Sequence, residues 1–588
     1  AISRLAITNS GALEWAPDGT AVYYATGQRT KDTHIARVDL VKRTPAYREN
    51  KFWDLFKQPS SNSNSNSNSK IGSSGRDALQ HAPRSERGSA APARADSVNV
   101  SIDFHGIFDR LELLPLQMSA GGFAISPDGK TLVFQAQAEG QSNLYEWNLD
   151  PLAEEHVARQ LTSTPGYKGM PIFSPDGKTV YFLDRGRISH VALKGNGHPS
   201  SLSVTAEMDV DFAKEKAEVF DEGWTDLRDE YFNPTMNGVD WPAVRKEFAP
   251  YIAGAQTKQE LARLMNLMVG ELNGSHLGAG QPRNGPRAQT GRLGLRFDPA
   301  SLADGRFVIA DVVPLGPADV AGITAGSSVT SIDGTSTRSR NLNELLANSV
   351  GKLVRVGVAD ARGRNEHVVE VKPISTGAVN QLEYRAWVEA NRAYVDSISG
   401  GKLGYVAMPD MGWGSYQQLT VDLDAANMGK EGVVFDVRAN RGGFVNAYAI
   451  DVLARQGYIT MQERGHPIAP ARSILGQWAL ERPTALVTNL NSLSDAEDFT
   501  EGYRTLKLGP VVGGPTGGWI IYTWGMRLVD GSSFRMPHSM IRGADGGPME
   551  LHPRPVDITV IRPLGESYSG RDSQLDAAVK ALLAKIGS

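Results

Sequence analysis

Cysteine is absent from the 588 residues, which removes disulfides, thiol nucleophiles and cysteine-bound zinc together. The 11 histidines stand singly, without the His-Glu-x-x-His spacing of a helical zinc site, so neither a metal nor another cofactor is expected. An excess of one charge sign is also lacking. A net −4 at pH 7, with both signs mixed, leaves no basic footprint for nucleic acid or an anionic membrane. No apolar run approaches the roughly 20 residues that span a bilayer. The chain starts at Ala1 with neither a Met nor a charged-then-apolar leader, as expected where a signal segment has been removed or never existed, and the compartment stays open. These absences leave a soluble globular chain, long enough for several domains.

Present instead is a repeated turn. Trp15-Ala-Pro-Asp-Gly19, Ser126-Pro-Asp-Gly129 and Ser174-Pro-Asp-Gly177 each set a tight reversal, and Thr131 to Phe134 and Thr179 to Phe182 read as strands leaving it. The spacing of the last two copies is near the roughly 40–50 residues of one propeller blade. Residues 1–204 are therefore read as part of a β-propeller. A degenerate blade fits in the long first gap, and further blades lie elsewhere, since closure takes roughly 4–8. The alternating Ser-Asn tract Ser60 to Ser69 is placed between blades, in a stretch from about 58 to 98 whose composition cannot bury enough apolar surface to order itself. It is expected to be a disordered insertion.

Residues 205–285 turn helical: Val219, Phe220, Trp224, Leu227 and Tyr231 fall on one stripe. Thr257-Lys-Gln-Glu260 is a capping box opening a second helix, with Asn273-Gly274 as its stop and Ser275-His276 just beyond. Residues 288–374 look like a PDZ domain. There Leu293-Gly294-Leu295 resembles the loop that captures a peptide carboxylate, and the module serves equally as a tail binder or as a spacer. Residues 376–588 alternate strands and helices: Gly432 to Val437 and Thr484 to Thr488 are buried strands, and an amphipathic helix from Ser573 to Ile586 ends the chain. This α/β layer places sites at strand ends.

Four short segments carry chemistry: Gly274-Ser275-His276, Asp436-Val-Arg-Ala-Asn-Arg-Gly-Gly443, Ser492-Leu-Ser494-Asp495-Ala-Glu497 and Met549-Glu550. An alcohol nucleophile needs a base, a partner to orient the base, and two backbone N–H groups for the oxyanion; the set offers a candidate for each. Ser494 follows a buried strand and opens a helix, where N-terminal N–H groups meet a developing anion. Singly, each segment has a plainer meaning. Ser494-x-x-Glu497 is a capping box, Gly442-Gly443 a turn, His276 a helix-end histidine, Ser275 a capping hydroxyl and Glu550 a surface acid. Together they compose a serine-hydrolase site.

In the order propeller, Ser-His helical segment, PDZ and α/β serine-peptidase core, nearly the whole chain resembles the tricorn type within the tail-specific (C-terminal-processing) serine peptidase family. The resemblance implies Ser494 as nucleophile, His276 as general base, Ser275 and Glu550 as a charge relay behind it, and the backbone of Gly443 and Asp495 as oxyanion hole. It also implies short peptides as substrates, a homo-oligomer that is hexameric in tricorn, and a cytoplasmic setting, with a periplasmic or other extracytoplasmic one as alternative. Two residues depart from the pattern. Leu493 is bulky where the family has a small residue before the nucleophile, and Ile459 follows Gly457-Tyr458 where an acid would favour basic residues. An apolar preference is expected in its place, unless Glu463 substitutes. The rival readings are an envelope tail-specific protease that selects substrates through its PDZ domain, and a non-catalytic propeller-PDZ scaffold.

Overall fold

The computed structural model describes residues 13–27, 33–43, 100–138, 140–153, 156–193, 198–281, 289–338, 340–425, 427–470 and 480–587. The stretch from about 58 to 98, read as an insertion, lies outside them. Two compact units follow one another along the chain, the first ending at Met208 and the second beginning at Asp209.

Among the described residues, the first unit contains three antiparallel sheets of four strands, each paired in chain order. The Pro-Asp-Gly turns join the first two strands of each. Gly19, Gly129 and Gly177 share a left-handed φ of +69°, and the Oδ1 of Asp18, Asp128 and Asp176 accepts the N–H two residues on. The period-2 pattern then decides how the sheets stack. Leu132 and Phe134 face Tyr23 and Ala25 of the first sheet, while the intervening Val133 packs with Val180 and Phe182 of the third. One reading is corrected here. Leu111–Leu113 pairs with His34–Asp39 and completes the first sheet, so the Ser-Asn tract stands in sequence between two strands of one sheet and not between two sheets.

The second unit opens with the helices Phe212–Glu230, Trp241–Gly254 and Lys258–Gly270, packed around Val219, Phe220, Trp241, Leu261 and Met265. Phe534 and Met536, from the antiparallel pair Ile521–Arg527 and Ser533–Met540, close that core, and the short strand Gly278–Gly280 pairs with the same sheet. Thr257 caps its helix as expected, its hydroxyl accepting Glu260 N–H at 3.1 Å, but that helix is the third and not the second, because Trp241–Gly254 precedes it. The helix stops before Asn273, however. It is Asn273 that turns left-handed, and Gly274 is needed because a Cβ there would lie 2.4 Å from the Tyr231 hydroxyl.

The segment from Leu295 to Val371 forms one antiparallel sheet around Ile309, Val329, Val356 and Val358. Beyond it, Leu403–Ala407, Gly432–Asp436, Thr484–Thr488, Val511–Gly513 and Ile558–Thr559 make a parallel sheet in that order. Its first four strands are buried on both faces, while the edge strand Ile558–Thr559 is exposed. Thr376–Ile398 and Ser573–Ile586 cover one face; Trp413–Ala425, Asn446–Ala454 and Asp495–Thr505 cover the other. Such a sheet delivers loops at the carboxyl ends of its strands, and the candidate site is built there. Among the described residues no helix is long and apolar enough to cross a membrane.

Candidate active site

Ser494 stands between the buried strand Thr484–Thr488 and the helix Asp495–Thr505, with φ +58° and ψ −127°, a backbone conformation L-residues rarely adopt. Neighbouring backbone holds it there. Ser494 N–H donates to Trp519 O at 2.9 Å, and Leu493 N–H to Asn440 O at 2.9 Å. The Ser494 side chain makes no capping bond to its helix. Its Oγ lies 3.0 Å from His276 Nε2 instead.

Behind the imidazole the contacts continue without a break. Ser275 Oγ is 2.6 Å from His276 Nδ1 and donates to Glu550 Oε2 at 3.0 Å. A serine hydroxyl has one proton; given to the carboxylate, it leaves only lone pairs for the histidine. Nδ1 is therefore the protonated nitrogen, and Nε2 presents a lone pair to Ser494. Glu550 is buried and is itself fixed by the N–H groups of Ser275 and Ile520, each at 2.7 Å. Burial, and then the positive charge of Arg535, push the His276 pKa down to about 4, so the imidazole is neutral at pH 7.

The loop from Asp436 to Gly443 lies against the other side of Ser494. Asp436 is structural: its carboxylate binds Arg438, at 2.7 Å from Nη2, and the Tyr405 hydroxyl at 2.8 Å, while Arg438 continues to Asp572. Asn440 Nδ2 donates to Met408 O, and its Oδ1 accepts Gly442 N–H at 2.9 Å. Both glycines are required by close approach. A Cβ on Gly442 would sit 2.4 Å from Ser494 Cβ, and one on Gly443 would sit 2.2 Å from Met411 O. Among the described residues, the N–H groups of Gly443 and Asp495 have no protein acceptor. The Asp495 side chain is turned away, its carboxylate accepting Asn446 N–H at 3.0 Å.

The bulk of Leu493 is met by a second glycine, since a Cβ on Gly517 would fall 2.3 Å from Leu493 Cδ2. Glu497 is not the far half of a capping box. Ser494 N–H is already bound to Trp519 O, and the fully buried Glu497 carboxylate accepts Thr516 Oγ1 at 2.6 Å and the N–H groups of Gly518 and Trp519 at 2.8 and 2.7 Å. The sequence offers Glu497 only as a capping-box acid, and Arg535 is the polar neighbour that sequence reading missed. A carboxylate three residues into the helix was the signal available for Glu497, and Arg535, on the strand Ser533–Met540, had none.

Other predicted positions lie apart from this chain of contacts. Ile459 and Glu463 are exposed, and no hydrogen bond or ion pair joins either to Ser275, His276, Ser494 or Glu550. Leu293 is buried with its carbonyl bound by Ala318 N–H, Gly294 turns left-handed against Gly316 and Pro317, and Leu295 begins an edge strand. The backbone entering that loop is already paired: Gly291 N–H donates to Leu346 O at 2.8 Å, and Thr290 bridges to Ala347.

Residues 402–560, which contain the parallel sheet, Ser494 and Glu550, match Peptidase family S41. The class defined by this layer is that of a serine peptidase domain. Residues 212–270 match the Tricorn protease C1 domain, and within the class the chain is similar to the tricorn proteases. It is 31% identical to Tricorn protease homolog 1 of Streptomyces coelicolor, over 70% of this chain and 40% of that protein. It is 24% identical to Tricorn protease of Thermoplasma acidophilum, over 81% of this chain and 44% of that one. The crystal structure of the tricorn protease superposes with a TM-score of 0.71 at 18% identity, covering 98% of this chain and 55% of the other, and so shares the multidomain fold. The chain thus spans less than half the length of these two curated relatives.

Proposed function

We propose that the chain is a tricorn-type serine peptidase that hydrolyses peptide bonds of short peptides through an acyl-enzyme. One observation carries this reading: the unbroken hydrogen-bonded series Glu550–Ser275–His276–Ser494, with the hydroxyl proton of Ser275 directed to the carboxylate. His276 Nε2 takes the Ser494 proton as Oγ attacks the carbonyl, and returns it to the leaving amine. The imidazolium formed in between donates Nδ1–H to Ser275, whose own proton is held by Glu550. The relay thus brings a buried negative charge to the imidazolium through a hydroxyl. Gly443 and Asp495 N–H supply the oxyanion hole, each typically worth about 10²–10³ in rate.

In the same reading the three face-packed sheets form a portion of a β-propeller, and the module from 288 to 374 is a PDZ domain. The protein is a homo-oligomer, with a hexamer as the form for light scattering to test. Apolar residues are preferred at the cleavage site, which Phe- and Arg-terminated fluorogenic peptides would decide. A non-catalytic scaffold is not favoured, since nothing about binding alone calls for a neutral imidazole aimed at a hydroxyl. The test of the core proposal is a serine-directed phosphonate: labelling at Ser494, absent in Ser494→Ala, is expected. Labelling elsewhere with activity retained in that variant would overturn it.

A further inference from the structure

Among the fully buried carboxylates that the relay leaves unused is that of Glu497, one helical turn beyond Ser494. Its surroundings are all donors. Thr516 Oγ1 and Gly518 N–H converge on Oε2 and Trp519 N–H on Oε1, all within 2.8 Å, so only an acceptor-only group satisfies the three. These donors belong to one short strap, 516–520, and the strap touches both halves of the site. Trp519 O accepts the N–H of Ser494; the next residue, Ile520, donates its N–H to Glu550 Oε2; and Gly518 O accepts Leu551 N–H at 2.7 Å. Glu497 itself stands one helical turn beyond Ser494, its own N–H bound to Ser494 O at 2.7 Å.

We infer that Glu497 is a positioning residue: it clamps strap 516–520 to the helix of the nucleophile, and through the strap sets Ser494 and the relay acid Glu550 in register. This rests on the serine-peptidase reading above. The helix Asp495–Thr505 and the segment carrying Glu550 lie far apart in sequence, and strap 516–520 is hydrogen-bonded to both. Without the clamp the strap keeps its bonds to Ser494 and Glu550 but loses its anchor to the helix. The two can then move against each other, and sub-ångström alignment at a reacting centre governs rate more than binding.

The experiment compares full-length Glu497→Gln, Glu550→Gln and their double variant, with Ser494→Ala as reference, using a fluorogenic peptide and the rate of phosphonate labelling. In Glu497→Gln an amide NH2 must face at least one of the three donors. A fall in kcat of about 10²-fold with KM little changed, and an equal slowing of labelling, are expected. Because the clamp acts by setting Glu550 in register, it matters little once Glu550→Gln has disabled the relay, so the double variant should lose little more than the worse single one. Thr516→Val, which removes one clamp bond of three, gives a smaller loss of the same kind and serves if Glu497→Gln does not fold. Unchanged kcat in Glu497→Gln, or losses that multiply in the double variant, would overturn the clamp while leaving the nucleophile assignment intact. Full turnover by Ser494→Ala would instead overturn the underlying reading, and the clamp with it.

Discussion

Among the described residues of the second unit, a serine hydroxyl 2.6 Å from the Nδ1 of an adjacent histidine occurs twice, at Ser275–His276 and at His538–Ser539. The local contact is the same, and the consequences are opposite. Ser275 has a buried carboxylate behind it and His276 has a second hydroxyl before it. His538 is instead laid over Trp524, ring centroids 4.0 Å apart, and among the described residues neither it nor Ser539 has a carboxylate partner. A serine–histidine contact is therefore not by itself a site. What sets Ser275–His276 apart is a carboxylate on the far side and a second hydroxyl on the near side, both delivered from distant sequence.

The comparison can be broken most severely at the proposed nucleophile. Ser494→Ala should lower kcat by a factor on the order of 10⁶, while Ser539→Ala leaves it unchanged; steady-state assays of the two side by side would undo the contrast if the losses were alike. Glu550→Gln comes next. An amide NH2 facing Ser275 would turn the hydroxyl proton back toward Nδ1 and put the imidazole proton on Nε2, the wrong tautomer, for a loss in kcat of about 10³–10⁴. Saturating-substrate rates measure it, and a loss under about tenfold would mean that the carboxylate does not set the tautomer.

A subtler effect is expected at Arg535, whose charge, after burial, helps hold His276 near a pKa of about 4. The base must be unprotonated, so kcat/KM falls as pH drops through that value. Arg535→Gln removes a positive charge that disfavours protonation; the pKa rises and the acid limb moves to higher pH. A pH–rate profile that superposes on the parent's would show that burial alone sets the base. Smallest of all, His538→Gln should leave both the rate and the position of that limb where they were, since no hydrogen bond links His538 to the relay.

Much of this was legible in the sequence, for reasons that differ by element. Pro-Asp-Gly fixes a turn through local sterics and a side-chain bond two residues away, so all three turns read directly. The strands Gly432–Asp436 and Thr484–Thr488 show as apolar runs because both faces are buried. Ser494, His276, Ser275 and Glu550 were nominated as a set, but their meeting depends on tertiary packing that no local pattern encodes. Glu497 was misread for that reason. Its spacing from Ser494 matches a capping box, and only the strap at 516–520, remote in sequence, shows what its carboxylate holds. Gly274 was misassigned likewise, because the need for glycine comes from Tyr231 and not from the helix before it.

The first sheet of the N-terminal unit closes by pairing His34–Asp39 with Leu111–Leu113, although residues 44–99 intervene. Ring closure by a polymer grows costlier only with the logarithm of its length, about 0.6 kcal/mol per doubling. A hairpin that can carry such an intervening stretch is a place where evolution can lengthen the gene cheaply. Every group in the proposed relay lies beyond Asp209, so growth at that point adds no residue between any two of them.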